Sequence, residues 1–274
     1  MSRPVLELAV GGERIRLSGP PVLLDTVVAR YGAFVGAAGR HAPIALEVSL
    51  GERFQPTHER EAGVRLIDAG GGVVCLDGAA RGTFDLAERR GAVHGVTGLG
   101  PVDALLRAAL SLTLPFDGAL LVHGATVPWH GRALVLCGAS GAGKSTAGLA
   151  LGAACDELTV LRPGPCGVTV EATPYWQGRP LAAPLAALVC LERAREGGPA
   201  FSALRGADAV RALASHVVRY MALPAVERAV LAEVARVCTN GSVSRATCPE
   251  GPAFLPFLTA RLQTATATAT ERAA

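Results

Sequence analysis

Apolar residues recur at every second position in the first part of the chain. "VLELAV" (5–10), "RIRLS" (14–18), "IALEVSL" (44–50), "VRLID" (64–68) and "GVVCLD" (72–77) are short alternating or apolar runs divided by Gly, Pro and Asp. That spacing predicts half-buried strands joined by turns. One stretch departs from it. In "PPVLLDTVVARYGAF" the apolar residues Leu23, Leu24, Val27, Val28 and Tyr31 return at helical spacing, behind prolines suited to a helix start.

A second helix is expected from Pro101 through "PVDALLRAALSLTL", bridging into a different pattern. "GALLVHGATVPWHGRALVLCGASGAGKST" carries three apolar runs. The last two flank "HGR", where Gly131 supplies a tight turn, and the third, Arg132 to Cys137, delivers the chain into a glycine-rich loop. "LAALVCLE" (185–192) reads as a buried strand; "GADAVRALASHVVRY" (206–220) and "PAVERAVLAEVARVC" (224–238) read as amphipathic helices. The organisation expected is a small β-rich α+β module over 1–100, an α/β domain over 101–263 with a mixed central sheet and flanking helices, and an unstructured low-complexity tail over 264–274.

Composition narrows the classes of function. The 274 residues suffice for one large or two small domains, and with 50% hydrophobic but only 4% aromatic residues the core must be built from small aliphatic side chains. A net charge of +3, with its arginines scattered, argues against nucleic acid or a membrane surface as partner. The seven cysteines form no C-x-x-C pair and no zinc-ligand spacing, as expected of buried thiols in a reducing cytoplasm. The N-terminal run lacks the apolar centre of a signal peptide, and no apolar run approaches the roughly 20 residues of a membrane span. A cytoplasmic protein is expected.

Lys144 is the only lysine; the other 25 basic residues are arginine. It lies in "GASGAGKST", which fits the P-loop pattern G-x-x-x-x-G-K-[ST] with an apolar strand before and a helix-compatible "STAGLALG" after. Such a loop, Gly138, Ala139, Ser140, Gly141, Ala142, Gly143, Lys144, Ser145 and Thr146, wraps its amides around the phosphates of a nucleotide, here expected to be ATP. A compact ammonium reaches the β- and γ-phosphates where the broad fork of arginine would need another cavity. The Ser145 hydroxyl takes the Mg²⁺-ligating position.

The next acidic residues are Asp156 and Glu157. A helix from Lys144 to about Leu151 descends about 12 Å. A strand from Gly152 to Asp156 climbs back about 13 Å, level with the loop, where a carboxylate near the triphosphate is needed. Other P-loop classes fit less well. The guanine-reading N-K-x-D motif needs a second lysine, and the L-S-G-G-Q signature of transport ATPases is absent.

The string "LLVHGATV…GRALVLCGASGAGKST…CDELTVL", followed by "TPYWQG" and "APLAALVCLE", resembles the catalytic domain of the HPr kinase/phosphorylase family and its HPr-kinase-like relatives over about Gly118 to Leu191. The resemblance implies transfer of the γ-phosphoryl group of ATP to a serine hydroxyl of a protein or peptide, including small modified peptides. It implies Asp156 as base, Glu157 and Ser145 with Asp156 on the Mg²⁺ side, and His123 as a polar partner at the phosphate end. It also implies assembly as a homo-oligomer. Glu157 stands where the family has Asp, the helix after the loop is shorter, and the family's following glycine-arginine segment has at most a remnant in "QGRP" (177–180). Two other readings stay open: a small-molecule kinase with Arg179, Arg193 and Arg195 as a lid, and a nucleotide-binding assembly protein without catalysis.

Overall fold

The computed structural model describes residues 4–36, 38–51, 54, 64–78, 81–175, 178–194 and 198–271, apart from the side chains of 64, 75–78 and 265–271. The protein is mixed α/β, and its chain divides into two compact units, Met1–Asp117 with Arg219–Ala229 and Gly118–Val218 with Val230–Ala274.

The first unit is built on a seven-stranded mixed sheet. Its strands are β1 (Val5–Val10), β2 (Glu13–Ser18), β3 (Ile44–Leu50), β4 (Val64–Gly70), β5 (Val73–Gly78), β6 (Arg81–Asp85) and β7 (Arg90–Val96), in the order β1-β2-β3-β7-β6-β5-β4. β1 and β2 form a hairpin, β2, β3 and β7 run parallel, and β4 to β7 form an antiparallel meander. The alternation visible in the sequence sorts the two faces. Leu8, Ile15, Leu17, Ile44, Leu46, Phe84 and Val93 are buried. Two helices, α1 (Pro21–Tyr31) and α2 (Leu99–Thr113), pack against the sheet and add Leu23, Val27, Leu105, Leu106 and Leu110 to the core. The helices are joined by a buried polar contact, Tyr31 donating to the Asp103 carboxylate while Arg30 lies 3.6 Å from its other oxygen.

A second seven-stranded mixed sheet forms the other unit: β8 (Leu120–Trp129), β9 (Arg132–Gly138), β10 (Cys155–Gly164), β11 (Gly167–Ala172), β12 (Ala182–Arg193), β13 (Ala200–Leu204) and β14 (Val243–Cys248), in the order β11-β10-β8-β9-β12-β14-β13. β11 also pairs with the start of β12, from Thr169↔Pro184 to Glu171↔Ala182. β8, β9, β12, β11 and β10 therefore form a closed circuit. Its helices are α3 (Lys144–Ala150), α4 (Gly206–Ala214) and α6 (Phe254–Glu271), with the part of α5 (Pro224–Asn240) from Val230 onward. Ala147 of α3 and Phe254, Leu258 and Leu262 of α6 share one apolar cluster with Leu134, Leu136, Val189 and Leu191.

Four sequence expectations are revised. The runs "ALLV" and "ATVPW" are one continuous strand, β8, because Gly124 lies within its ladder, opposite Cys137. The segment expected to climb from Gly152 to Asp156 is instead mostly a turn. Gly152 takes φ +73°, the Ala153 amide returns to the Gly148 carbonyl at 2.8 Å, and β10 begins only at Cys155. α4 ends at Ala214, six residues short of the expected helix. α6 continues through the Thr-Ala repeat to Glu271, where alanine at alternate positions favours helix. No helix among the described residues is long and apolar enough to cross a membrane.

Candidate functional site

The glycine loop is mounted on β9, whose residues Ala133 to Cys137 are fully buried. After Gly138 the Ala142 amide turns back to the Ala139 carbonyl at 3.1 Å, and the first bond of α3 runs from the Ala147 amide to the Gly143 carbonyl at 2.9 Å. Two glycines are required by the space. A Cβ on Gly138 would stand 2.6 Å from the Leu191 carbonyl, and one on Gly143, which takes φ +98°, would stand 2.7 Å from the ring of Phe254. The loop thus follows a path open only to glycine at both ends.

Lys144 is 8% exposed, and its ammonium donates to the carbonyls of Gly138 at 2.7 Å and Ala139 at 3.0 Å. The side chain is curled over the loop that precedes it. Burial lowers its pKa below the ordinary lysine value, while the neighbouring Cys137 and the carboxylate of Asp156 act in the opposite sense.

Asp156 and Glu157 are brought to the level of the loop by register. Asp156 pairs with Ala125, which pairs with Leu136; Glu157 pairs with Gly124, which pairs with Cys137. Both carboxylate positions therefore lie two strands across from the final residues of β9 before the loop, a lateral distance of about 10 Å. Asp156 Oδ1 lies 3.8 Å from where a Cβ on Gly148 would stand, so this carboxylate faces α3. Asp156 and Glu157 are half-buried, and Ser145 and Thr146 are exposed in the first turn of α3.

His123 lies on β8 opposite Leu158, and its amide donates to the carbonyl of His216 at 2.8 Å. His216 belongs to the segment that leaves α4. The Val218 amide continues the attachment to the Leu121 carbonyl at 2.8 Å, with Val217 bridged to Val122. Burial, then the charge of Lys144, then His123 lower the pKa of His216. The unit thus brings together Lys144, Asp156, His123 and an imidazole that sequence reading did not single out. Its only signal is hidden inside a run whose apolar spacing continues that of a helix.

Two side chains brace the loop: Arg193, which the sequence offered only as part of a lid, and Phe254, which it did not single out. Arg193 Nε donates to the Gly141 carbonyl at 2.7 Å, and its guanidinium reaches Glu250 at 3.4 Å. Phe254 fills the space beneath Gly143. Arg179 leans on the turn after α3, 3.4 Å from the Gly152 carbonyl and 3.3 Å from that of Ala153. Gln177 and Arg195 lie outside the described residues.

The first unit holds a separate ionic cluster. Glu13, His41 and Asp117 have ligand-type atoms within 4.8 Å of one another. Arg89 occupies the same space, donating to Asp117 at 2.5 Å and to the fully buried Glu13 at 3.1 Å, while His41 Nδ1 lies 3.1 Å from Glu13 Oε1. The guanidinium neutralises the carboxylates that a metal ion would need, so the group is a buried salt-bridge network. Of the cysteines, Cys137, Cys155, Cys190 and Cys248 are buried free thiols, and burial pushes Cys190 up to about 12 and Cys248 to about 11.

No protein-family model matches the chain, and no match to it was found among curated proteins.

Proposed function

We propose that the protein is an ATP-dependent, Mg²⁺-requiring phosphotransferase that moves the γ-phosphoryl group to a serine hydroxyl of a protein or peptide acceptor. The observation that carries this reading is the chain's single lysine, buried against the carbonyls of a glycine loop and within electrostatic reach of Asp156. The HPr-kinase-like string from Gly118 to Leu191 supports the same assignment.

The residues fit the groups they would hold. Glycines of positive φ let the loop wrap an anion, and Ser145, Asp156 and Glu157 offer the hard oxygen ligands that Mg²⁺ prefers. Bound Mg²⁺ supplies neutralisation of phosphate charge. Lys144 exchanges its two loop carbonyls for phosphate oxygens, so its ammonium is already in the loop when the nucleotide arrives. Asp156 accepts the proton of the acceptor hydroxyl as that oxygen attacks phosphorus and the β–γ bridging bond breaks toward ADP. His123 and His216 stand at the phosphate end as polar groups, joined through the His123 amide and the His216 carbonyl at 2.8 Å.

Two of the three arginines considered for a metabolite-kinase lid, Arg179 and Arg193, are engaged with backbone carbonyls, which weighs toward the protein or peptide acceptor. The test is transfer from γ-labelled ATP in a cell extract by wild type, Lys144→Met and Asp156→Asn, with nucleotide affinity measured alongside. Lys144→Met is expected to lose both binding and transfer, and Asp156→Asn to lose transfer while still binding. Transfer that survives Lys144→Met would overturn the assignment.

A further inference from the structure

We propose that the open polar face of the first unit's sheet binds an extended peptide of mixed charge. Its acidic group is held between Arg16 and Arg90, and its basic group by Asp85 and Glu88. An open depression of about 630 Å³ lies on this face.

Register explains its form. Arg16 of β2 pairs with Ala45 of β3, and Ala45 pairs with Arg90 of β7. The two arginines therefore stand about 10 Å apart across an alanine floor. The next row continues the floor with Ser18, Ala92 and Thr83 around Glu47.

Asp85 is the cross-strand partner of Arg90, yet Asp85 Oδ1 accepts the amides of Ala87 at 2.9 Å and Glu88 at 3.0 Å in the turn that follows. Asp85 thus meets the turn through one oxygen only, and the Arg90 guanidinium is exposed to the cavity, without an ion pair among the described residues. Arg16 is held beside it by Glu7 at 3.3 Å.

The lining selects the ligand by chemistry. Among the described residues no aromatic ring lines the cavity, so they offer a nucleobase no stacking surface, and the carboxylates of Glu47, Asp85 and Glu88 repel a polyanion. Planar guanidiniums match a carboxylate bidentately, and the carboxylates beyond them match a lysine or arginine. A ligand that carries both signs along a few residues of chain is a peptide. Reading it as the docking segment of the phosphorylated acceptor rests on the proposed phosphotransferase; peptide binding itself does not.

The experiment is selection from a displayed random hexapeptide library on the wild-type protein and on Arg90→Glu. Affinities of the selected peptides, binding of a fluorescent ATP analogue and thermal unfolding are then measured for both proteins. Enrichment of sequences that combine acidic and basic residues is expected. Arg90→Glu should weaken those peptides by about tenfold or more while nucleotide binding and unfolding stay unchanged. No enrichment, enrichment of a single charge sign, or affinities indifferent to Arg90→Glu would overturn the proposal. Loss of the phosphotransferase reading shows separately, as absent nucleotide binding by the wild type.

Discussion

The ring of Phe254 occupies the space that a side chain on Gly143 would need: a Cβ there would lie 2.7 Å from Cζ. Phe254 opens α6 and is 9% exposed, so a residue distant in sequence from the glycine loop supports its last turn before Lys144. The loop's shape is a property of the packed unit as well as of its glycines.

Gly143→Ala should cost about 2–5 kcal/mol, from overpacking against Phe254 together with strain at φ +98°. In a Phe254→Ala background the contact is gone, and the same substitution should cost only the strain, about 1–3 kcal/mol. Urea unfolding of the four proteins measures the coupling. Equal costs in both backgrounds would remove Phe254 from the explanation.

The buried contact between Tyr31 and Asp103 predicts a response to alkali. Burial, then the charge of Asp103, then the hydrogen bond to it raise the Tyr31 pKa above the ordinary 10.0. A phenol raised in the folded state contributes stability that is complete below pH 10 and is lost as pH rises beyond it. Wild type should lose up to about 1.4 kcal/mol per pH unit above 10 relative to Tyr31→Phe. Near pH 7 the substitution itself should cost about 1–3 kcal/mol, because a buried carboxylate loses its donor. Urea midpoints from pH 7 to 11 that run parallel for the two proteins would contradict this.

His216 should respond to acid. Its pKa is lowered in the fold, so its contribution is present above the unfolded value of 6.5 and is lost as pH falls through the folded one. An NMR titration of the ring should give a pKa below 6.5, and Lys144→Met should move it upward by removing the second-largest cause. An unchanged value in that variant would separate the two side chains electrostatically.

Arg89→Met should destabilise the first unit by about 3–5 kcal/mol, because Glu13 is fully buried and its main cationic partner is removed. Adding Glu13→Gln should recover part of that loss. Chelation with EDTA should leave the unfolding temperature of the wild type unmoved, since a guanidinium and not a metal ion balances the cluster. A fall in that temperature would reinstate the metal reading.

The parts that were legible in the sequence are those with a local period or a local motif. β1, β2 and β3 follow the two-residue alternation of their apolar positions, and the glycine loop announces itself between a buried strand and Lys144. Asp156 was placed at the right height by the wrong path: the turn at Gly152 and the register with Ala125 do what a climbing strand was expected to do. His216 was invisible because the apolar spacing of its neighbours extends a helical pattern. The chain leaves that helix at Ser215 so that Val217 can bridge to Val122, and a pairing between such distant residues leaves no periodic trace. The same holds for Arg193 on Gly141 and for the cavity above Ala45, each made by strands that meet only in the fold.

Because β10, β8, β9, β12 and β11 close on one another, β9 has no unzipped flank from which its ladder can fray. Amide protons along Leu134 to Cys137 should therefore exchange with solvent only through the global opening of the unit. The glycine loop is thereby rooted in a strand paired on both sides, and Arg193 on Gly141 and Phe254 under Gly143 carry that anchorage past the end of the ladder.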